Sequence, residues 1–359
     1  MSGPFVSGDE LSARFYADAV RPLLGNRPHA AALLGWGSDV LGYDTQRSTD
    51  HGWGPRVLVF LPAEDEAADV LARLDDGLPD EYAGRPVRFG WDDVPATHHV
   101  TVTTLPAWLT SCLGVDATAA MSTTDWLVTP QQRLLGVVAG RVHADPDGAL
   151  GRVRRRLAWY PDQVWRWLLA CQWHRLAQEE AFVARTAEVG DEIGSALVAG
   201  RLVRDLMRLA LLIDRRYAPY QKWLGTAFAR LRHDDDLPRH LADALHAPQA
   251  GPREDALARA YLALAGRHAA SGLTGPVEAA IGTYHDRPAR VLMADRFTDA
   301  LLSTVTDDRL SGLALVGGVD QVADSTDLLS DPGRYRRLAP LYEGAGPSAP
   351  GRWAGPAPR

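Results

Sequence analysis

Residues 33–57 read LLGWGSDVLGYDTQRSTDHGWGPRV, and this stretch decides the fold. Leu33 and Leu34 belong to an apolar run of strand length, 29–35, and Gly37-Ser38 follow at once. A strand running into Gly-Ser leaves backbone amides free at the start of a short helix, where amides and a hydroxyl can hold phosphate oxygens. Asp50 arrives about a dozen residues later, beside a second apolar strand at 57–61 that Pro62 ends. An aspartate there can hold a magnesium ion against those phosphates. The plain alternative is a tight turn that only needs glycine.

Outward from this stretch, Ser7 and Glu10 have capping-box spacing and predict a helix to about Leu24. Residues 64–74 predict a helix with acidic residues in its first turn. Residues 87–89 and 99–103 predict strands, with Thr101 and Thr103 on one face and Val100 and Val102 on the other. After about residue 120 strand signals fade. Helices are expected from 161 past 176, and over 191–216, 254–268 and 289–305, with Leu197, Leu202, Leu206, Leu209 and Ile213 as an apolar stripe on the second. The expected fold class is α+β: a mixed-sheet domain over 1–120, a helical domain closing the cleft over 121–340, and a Pro-, Gly- and Ala-rich disordered tail over 341–359.

The chain has 359 residues, 38 basic and 45 acidic, for a net charge of -7. An acidic chain is a poor general binder of nucleic acid. Cys112 and Cys171, the two cysteines, form no disulfide framework and no metal cluster. No apolar stretch approaches the roughly 20 residues that span a bilayer, and Asp9 and Glu10 precede any apolar run. A cytoplasmic protein without a membrane partner is expected. Lys222 is the only lysine among the 38 basic residues, which makes it worth weighing.

A strand ending in Gly-Ser, a spacer, and an Asp before a second strand resemble the nucleotidyltransferase superfamily, which includes the aminoglycoside nucleotidyltransferases. More closely, GWGSDVLGYDTQRSTDHGWGPR resembles a bacterial family known as domain of unknown function 4037. The likeness continues through DWLVTPQQRLLGVVAGRV, LAWYPDQVW, VGDEIGSALVAGRLVRDLMRL, YAPYQKWLGTAF and VGGVDQVADSTDLL, roughly residues 10 to 335. It implies a nucleotidyltransferase core followed by a helical domain closing over a nucleotide. It also implies two acids at i and i+2 that hold magnesium. Asp50 matches the first, and the second position is Gly52, which has no side chain. An aspartate placed at 52 would supply the missing spacing. Asp39, Asp44 and Asp92 are the nearby acids that could substitute. Arg56 can meet a phosphate with its planar fork, or form a salt bridge at the strand start.

In the helical half, Glu179-Glu180 and Asp191-Glu192 are paired acids. Glu180 is the candidate general base for a substrate hydroxyl, against the alternative of a solvated helix end. Arg201, Arg204 and Arg208 recur at helical spacing, with Asp205 beside them. Lys222 lies among Tyr217, Tyr220 and Trp223. It can contact a triphosphate, or snorkel over tryptophan. Asp320, Asp324 and Asp327 read as helix caps.

The leading expectation is an adenylyltransferase-like enzyme that moves a nucleoside monophosphate from a nucleoside triphosphate to a hydroxyl of a small-molecule acceptor. Gly37 and Ser38 would hold the phosphates, Asp50 the Mg2+, and Arg56, Arg204 and Lys222 the rest of the nucleotide. The alternative is a degenerate member that binds a ligand, or catalyses a different reaction in natural-product biosynthesis. A regulatory, antitoxin-like partner protein is a third class.

Overall fold

The computed structural model describes residues 5–343. The chain divides into two compact units. Of the described residues, the first unit comprises 5–122, Gln131–Ala158 and Ser330–Arg336, and the second comprises Thr123–Pro130, Trp159–Leu329 and 337–343. The expected class, a mixed sheet first and mostly helices after, is the class observed.

The first unit is built on strands β1 (Ala30–Leu33), β2 (Arg56–Leu61), β3 (Arg88–Trp91), β4 (Val94–Thr104) and β5 (Arg141–Ala144), in the order β3-β4-β2-β1-β5. β2 and β4 are parallel, with Arg56 opposite His99 and Leu58 opposite Thr101. The other pairings are antiparallel. Side chains alternate, so the sheet has two distinct faces. Val57, Val59, Leu61 and Val100 pack with Phe15 of α1 (Gly8–Phe15), and with Val70 and Leu74, in one apolar core. The opposite face carries Arg56, Leu58, His99 and Thr101. After β1, Gly37 caps the one-turn helix α2 (Ser38–Leu41). Val70 and Leu74 are the buried residues of α3 (Ala67–Gly77), which lies where a helix over 64–74 is expected. Among the unit's further helices are α4 (Leu105–Leu113) and α5 (Gln131–Val138).

Three local expectations change. Ser7 precedes the first helix without a side-chain cap, because its hydroxyl turns to Asp9 and Glu10 pairs with Arg14. Strand structure does not end near 120: β5 completes the sheet beside β1. Of the expected tail, 344–359 lies outside the described residues, and Tyr342 just before it is buried, its hydroxyl donating to Gly317 O at 3.0 Å.

The second unit is a helical array around α6 (Asp162–Glu179), α7 (Phe182–Ala187), α8 (Glu192–Ile213), α9 (Leu237–His246) and α10 (Ala250–Ala270). Asp191 caps α8 by accepting from Gly194 N at 2.7 Å. Residues expected as one helix over 289–305 split into a hairpin, β6 (Gly282–Tyr284) with β7 (Arg287–Val291), and the helix α11 (Asp295–Leu302). Met293, at φ 59°, breaks the chain between them. Among the described residues no helix is long and apolar enough to cross a membrane.

Candidate functional site

The face of the first unit's sheet that lacks the valine core opens into a cavity of about 290 Å³. Its floor is β2 and β4, through Arg56, Leu58, His99 and Thr101; its walls are Gly35-Trp36, Trp108 and Ser111 of α4, and Arg133 of α5. None of its described lining residues is acidic. Arg56 and Arg133 both have a buried Nε–H without a hydrogen-bond partner. Buried charged donors without an acceptor are costly, so this cavity is chemically suited to an anion.

Arg56 is the best-positioned of these side chains. Its Nη2 donates to both carboxylate oxygens of Asp39, at 2.7 and 2.6 Å, and to Trp36 O at 3.1 Å. Its guanidinium lies 4.6 Å from the centre of the Trp36 ring. Gly37 makes this packing possible. Its φ is 119°, and a Cβ there would stand 2.2 Å from Asp39 Oδ1 and 2.8 Å from Arg56 Nη2. The glycine of the Gly-Ser pair thus serves an ion pair, and the cavity wall reaches Gly35 and Trp36, one step before Gly37 and Ser38.

His99 brings a neutral imidazole to the same floor. Its Nε2–H donates to Phe89 O at 2.8 Å, since a carbonyl can only accept, and this leaves Nδ1 as an acceptor. Burial holds the ring's pKa below the usual histidine value; the Phe89 carbonyl opposes this, and Arg56 adds to it. Phe89 and Trp91 flank the ring at 4.1 and 5.0 Å between centroids, and Trp91 also meets Trp36 at 5.6 Å. Trp36 is 51% exposed and forms an aromatic rim. Arg133 hydrogen-bonds the Cys112 thiol, which burial pushes up to a pKa of about 11 and so keeps unreactive.

The residues present do not fit the magnesium site that the resemblance implies. Asp50 ends an exposed 3-10 turn, Gln46–Asp50, closed by a Thr45–Ser48 capping box. Gly52 has φ 60°, and a Cβ there would lie 3.1 Å from the Trp36 ring. All three substitute acids are engaged elsewhere. Asp39 is held by Arg56, Asp44 accepts from Gly8 N at 2.7 Å and from Trp53 Nε1 at 3.0 Å, and Asp92 lies 3.6 Å from His51. Among the described residues no three His, Cys, Asp or Glu side chains converge.

The candidates in the helical unit are also dispersed. Glu180 is buried, and its two oxygens accept from Leu292 N at 2.7 Å and Ala294 N at 3.1 Å. Burial raises its pKa to about 7, opposed by those backbone donors. It ties the end of β7 to α6 and α7, so it is not a solvated helix end. Lys222 is exposed, with Nζ 5.0 Å from the Trp223 ring centre, which is the snorkelling arrangement. Arg204 pairs with Asp324 at 2.9 Å.

His99, Arg133 and Trp36 were missed as site residues by sequence reasoning. The signal for His99 was present: it shares the alternation that put Thr101 and Thr103 on one face. Arg133 carried none, because only folding brings α5 to the sheet.

A family model described as Domain of unknown function (DUF4037) matches residues 126–224. The description of that family assigns it no activity. No curated protein gives a match.

Proposed function

We propose that this chain is a nucleotidyltransferase-like protein that has given up the paired-carboxylate metal site and binds a nucleoside phosphate in the cavity of its first unit. The observation that carries the reading is the cavity floor. Arg133 brings a guanidinium with an unpaired buried Nε–H, and Arg56, whose Nη2 is held by Asp39, adds a second unpaired buried Nε–H, at a site whose described lining includes no carboxylate. Guanidinium forks match phosphate oxygens in geometry and charge. The Trp36–Trp91 rim offers an aromatic surface for a base. Thr101, Ser111 and the His99 acceptor supply polar contacts around it. Metal-dependent nucleotidyl transfer is the weaker reading, because Asp50 has no second carboxylate beside it.

The test is thermal unfolding of the full chain with ATP, ADP or AMP, with magnesium or with EDTA. A ligand at a hundred times its Kd stabilises the native state by about 2.7 kcal/mol. The expected result is an upward shift of Tm of equal size with magnesium and with EDTA. A shift that requires magnesium, or none with any nucleotide, overturns the reading.

A further inference from the structure

The second unit holds another arginine-lined cavity, of about 190 Å³, between α6, α8 and residues 320–324. α8 presents Arg201, Arg204 and Arg208 at helical spacing, and α6 brings Arg175. Arg201 is drawn to the rim by Glu179, at 2.8 Å. The inner cations are therefore Arg175, Arg204 and Arg208. Arg175 Nε donates to Asp205 at 2.8 Å, and Arg208 donates to the backbone oxygen of Asp320. Arg204 Nε and Arg208 Nε are both buried and have no hydrogen-bond partner.

The carboxylates here are unequal. Asp205 is buried, between Arg175 and Arg204. Asp324 has a side chain 70% exposed and stands on the non-helical link between Val319–Val322 and Thr326–Leu329. It lays one carboxylate on Arg204 from the solvent side, at 2.9 Å. With that carboxylate moved aside, three inner guanidiniums face Asp205 and Asp320. A dianionic phosphate offers more charge and more acceptors to those guanidiniums than a single carboxylate does. At a liquid share of about 30 Å³ per water, the cavity holds roughly six waters, room for one phosphate or two linked ones.

We propose that this cavity is a second anion site, for the phosphate or diphosphate group of a small molecule, and that Asp324 sits in its outer position as a built-in competitor. The site is independent of the one in the first unit, and nothing in the proposed function requires it.

The experiment is isothermal titration of the full chain with inorganic phosphate and with pyrophosphate, with citrate at matched ionic strength as the non-phosphate control. Four proteins are compared: the unaltered chain, Asp324→Ala, Arg204→Gln and Arg133→Ala. Asp324 is a surface residue, so its truncation keeps the fold. The expected result is pyrophosphate affinity about tenfold tighter in Asp324→Ala and about tenfold weaker in Arg204→Gln, the size of one charge-assisted hydrogen bond. Arg133→Ala, which alters only the first unit's cavity, leaves unchanged the binding component that responds to Asp324→Ala and Arg204→Gln. No gain in Asp324→Ala overturns the proposal, as does an equal gain for citrate. Binding lost in Arg133→Ala but kept in Arg204→Gln assigns the anion to the first unit and also overturns it.

Discussion

Asp39 rests both carboxylate oxygens on a single nitrogen of Arg56, at 2.7 and 2.6 Å, and both side chains are buried. The acid nearest the Gly-Ser turn thus neutralises an arginine. Its register on β2, opposite His99, puts that arginine on the open face of the sheet.

Removing one partner of a buried pair leaves the other charge uncompensated, at a cost of about 3–5 kcal/mol. Asp39→Ala is therefore expected to lower the stability of the first unit by that amount in urea titration. The double change Asp39→Leu with Arg56→Met should lose less than Asp39→Ala. If the double variant is the weaker of the two, the pair is not the source of the loss.

Gly52→Asp supplies the acid that spacing alone asks for, and the backbone opposes it. A left-handed φ costs a residue with a Cβ roughly 1–2 kcal/mol, and the new Cβ meets Trp36 at 3.1 Å. The expected outcome is a less stable protein with no gain in magnesium binding by calorimetry. Tight magnesium binding in this variant would show that the loop relaxes and that Asp50 can be joined by a second ligand.

Lys222→Ala removes an exposed cation from over Trp223. An exposed cation–π contact contributes about 0.5–1 kcal/mol, so a small drop in stability is expected. ATP affinity should stay within about twofold, well below the roughly 1.5–3 kcal/mol of a lost hydrogen bond to a charged group. A tenfold loss of affinity with normal folding would return Lys222 to the nucleotide site.

His268 gives the second unit an acid-sensitive contact. Trp173 Nε1 donates to its Nδ1 at 3.3 Å, and burial lowers its pKa from 6.5 to about 4. The unfolded chain therefore takes up the proton first. The contribution is complete above pH 6.5 and is lost as pH falls from there through about 4. Each tenfold difference in proton affinity between the folded and unfolded chain is worth ~1.36 kcal/mol, which brings the contribution to about 3 kcal/mol. Glu180, raised from 4.5 to about 7 by burial, acts oppositely, its contribution being lost as pH rises through that window. Comparing urea midpoints of the unaltered chain and His268→Asn between pH 7 and 4 cancels Glu180. The curves should converge on acidification; parallel curves would rule the effect out.

The sheet was legible where strands were apolar and punctuated, as β1 is by Gly35 and β2 by Pro62. β5 was not, because Arg141-Val142-His143-Ala144 is too polar to announce a strand. Leu197 reads as part of the apolar stripe of α8, yet it is 70% exposed. Leu202, Leu206, Leu209 and Ile213 repeat at helical spacing, but five residues at about 100° each put Leu197 about 140° away from Leu202. Val189 and Ile193 are likewise exposed. In the site, Arg56 was legible from its position at the strand start. Which of its two roles it plays depends on Asp39, seventeen residues earlier, turning inward, and that is decided by φ 119° at Gly37.

Tyr335, in the last segment of the first unit, is buried and donates to Cys112 O at 3.2 Å across 223 residues of sequence. On a ribosome adding about 5–20 residues per second, that separation is about 10–45 s of synthesis. The unit that emerges first is therefore the one that must wait: α4 leaves the exit tunnel long before the tyrosine that covers it, and most of the second unit is made in between. A chain stalled before residue 330 exposes that surface, so chaperone contact during translation should concentrate on nascent chains of intermediate length and end when Ser330–Arg336 appears.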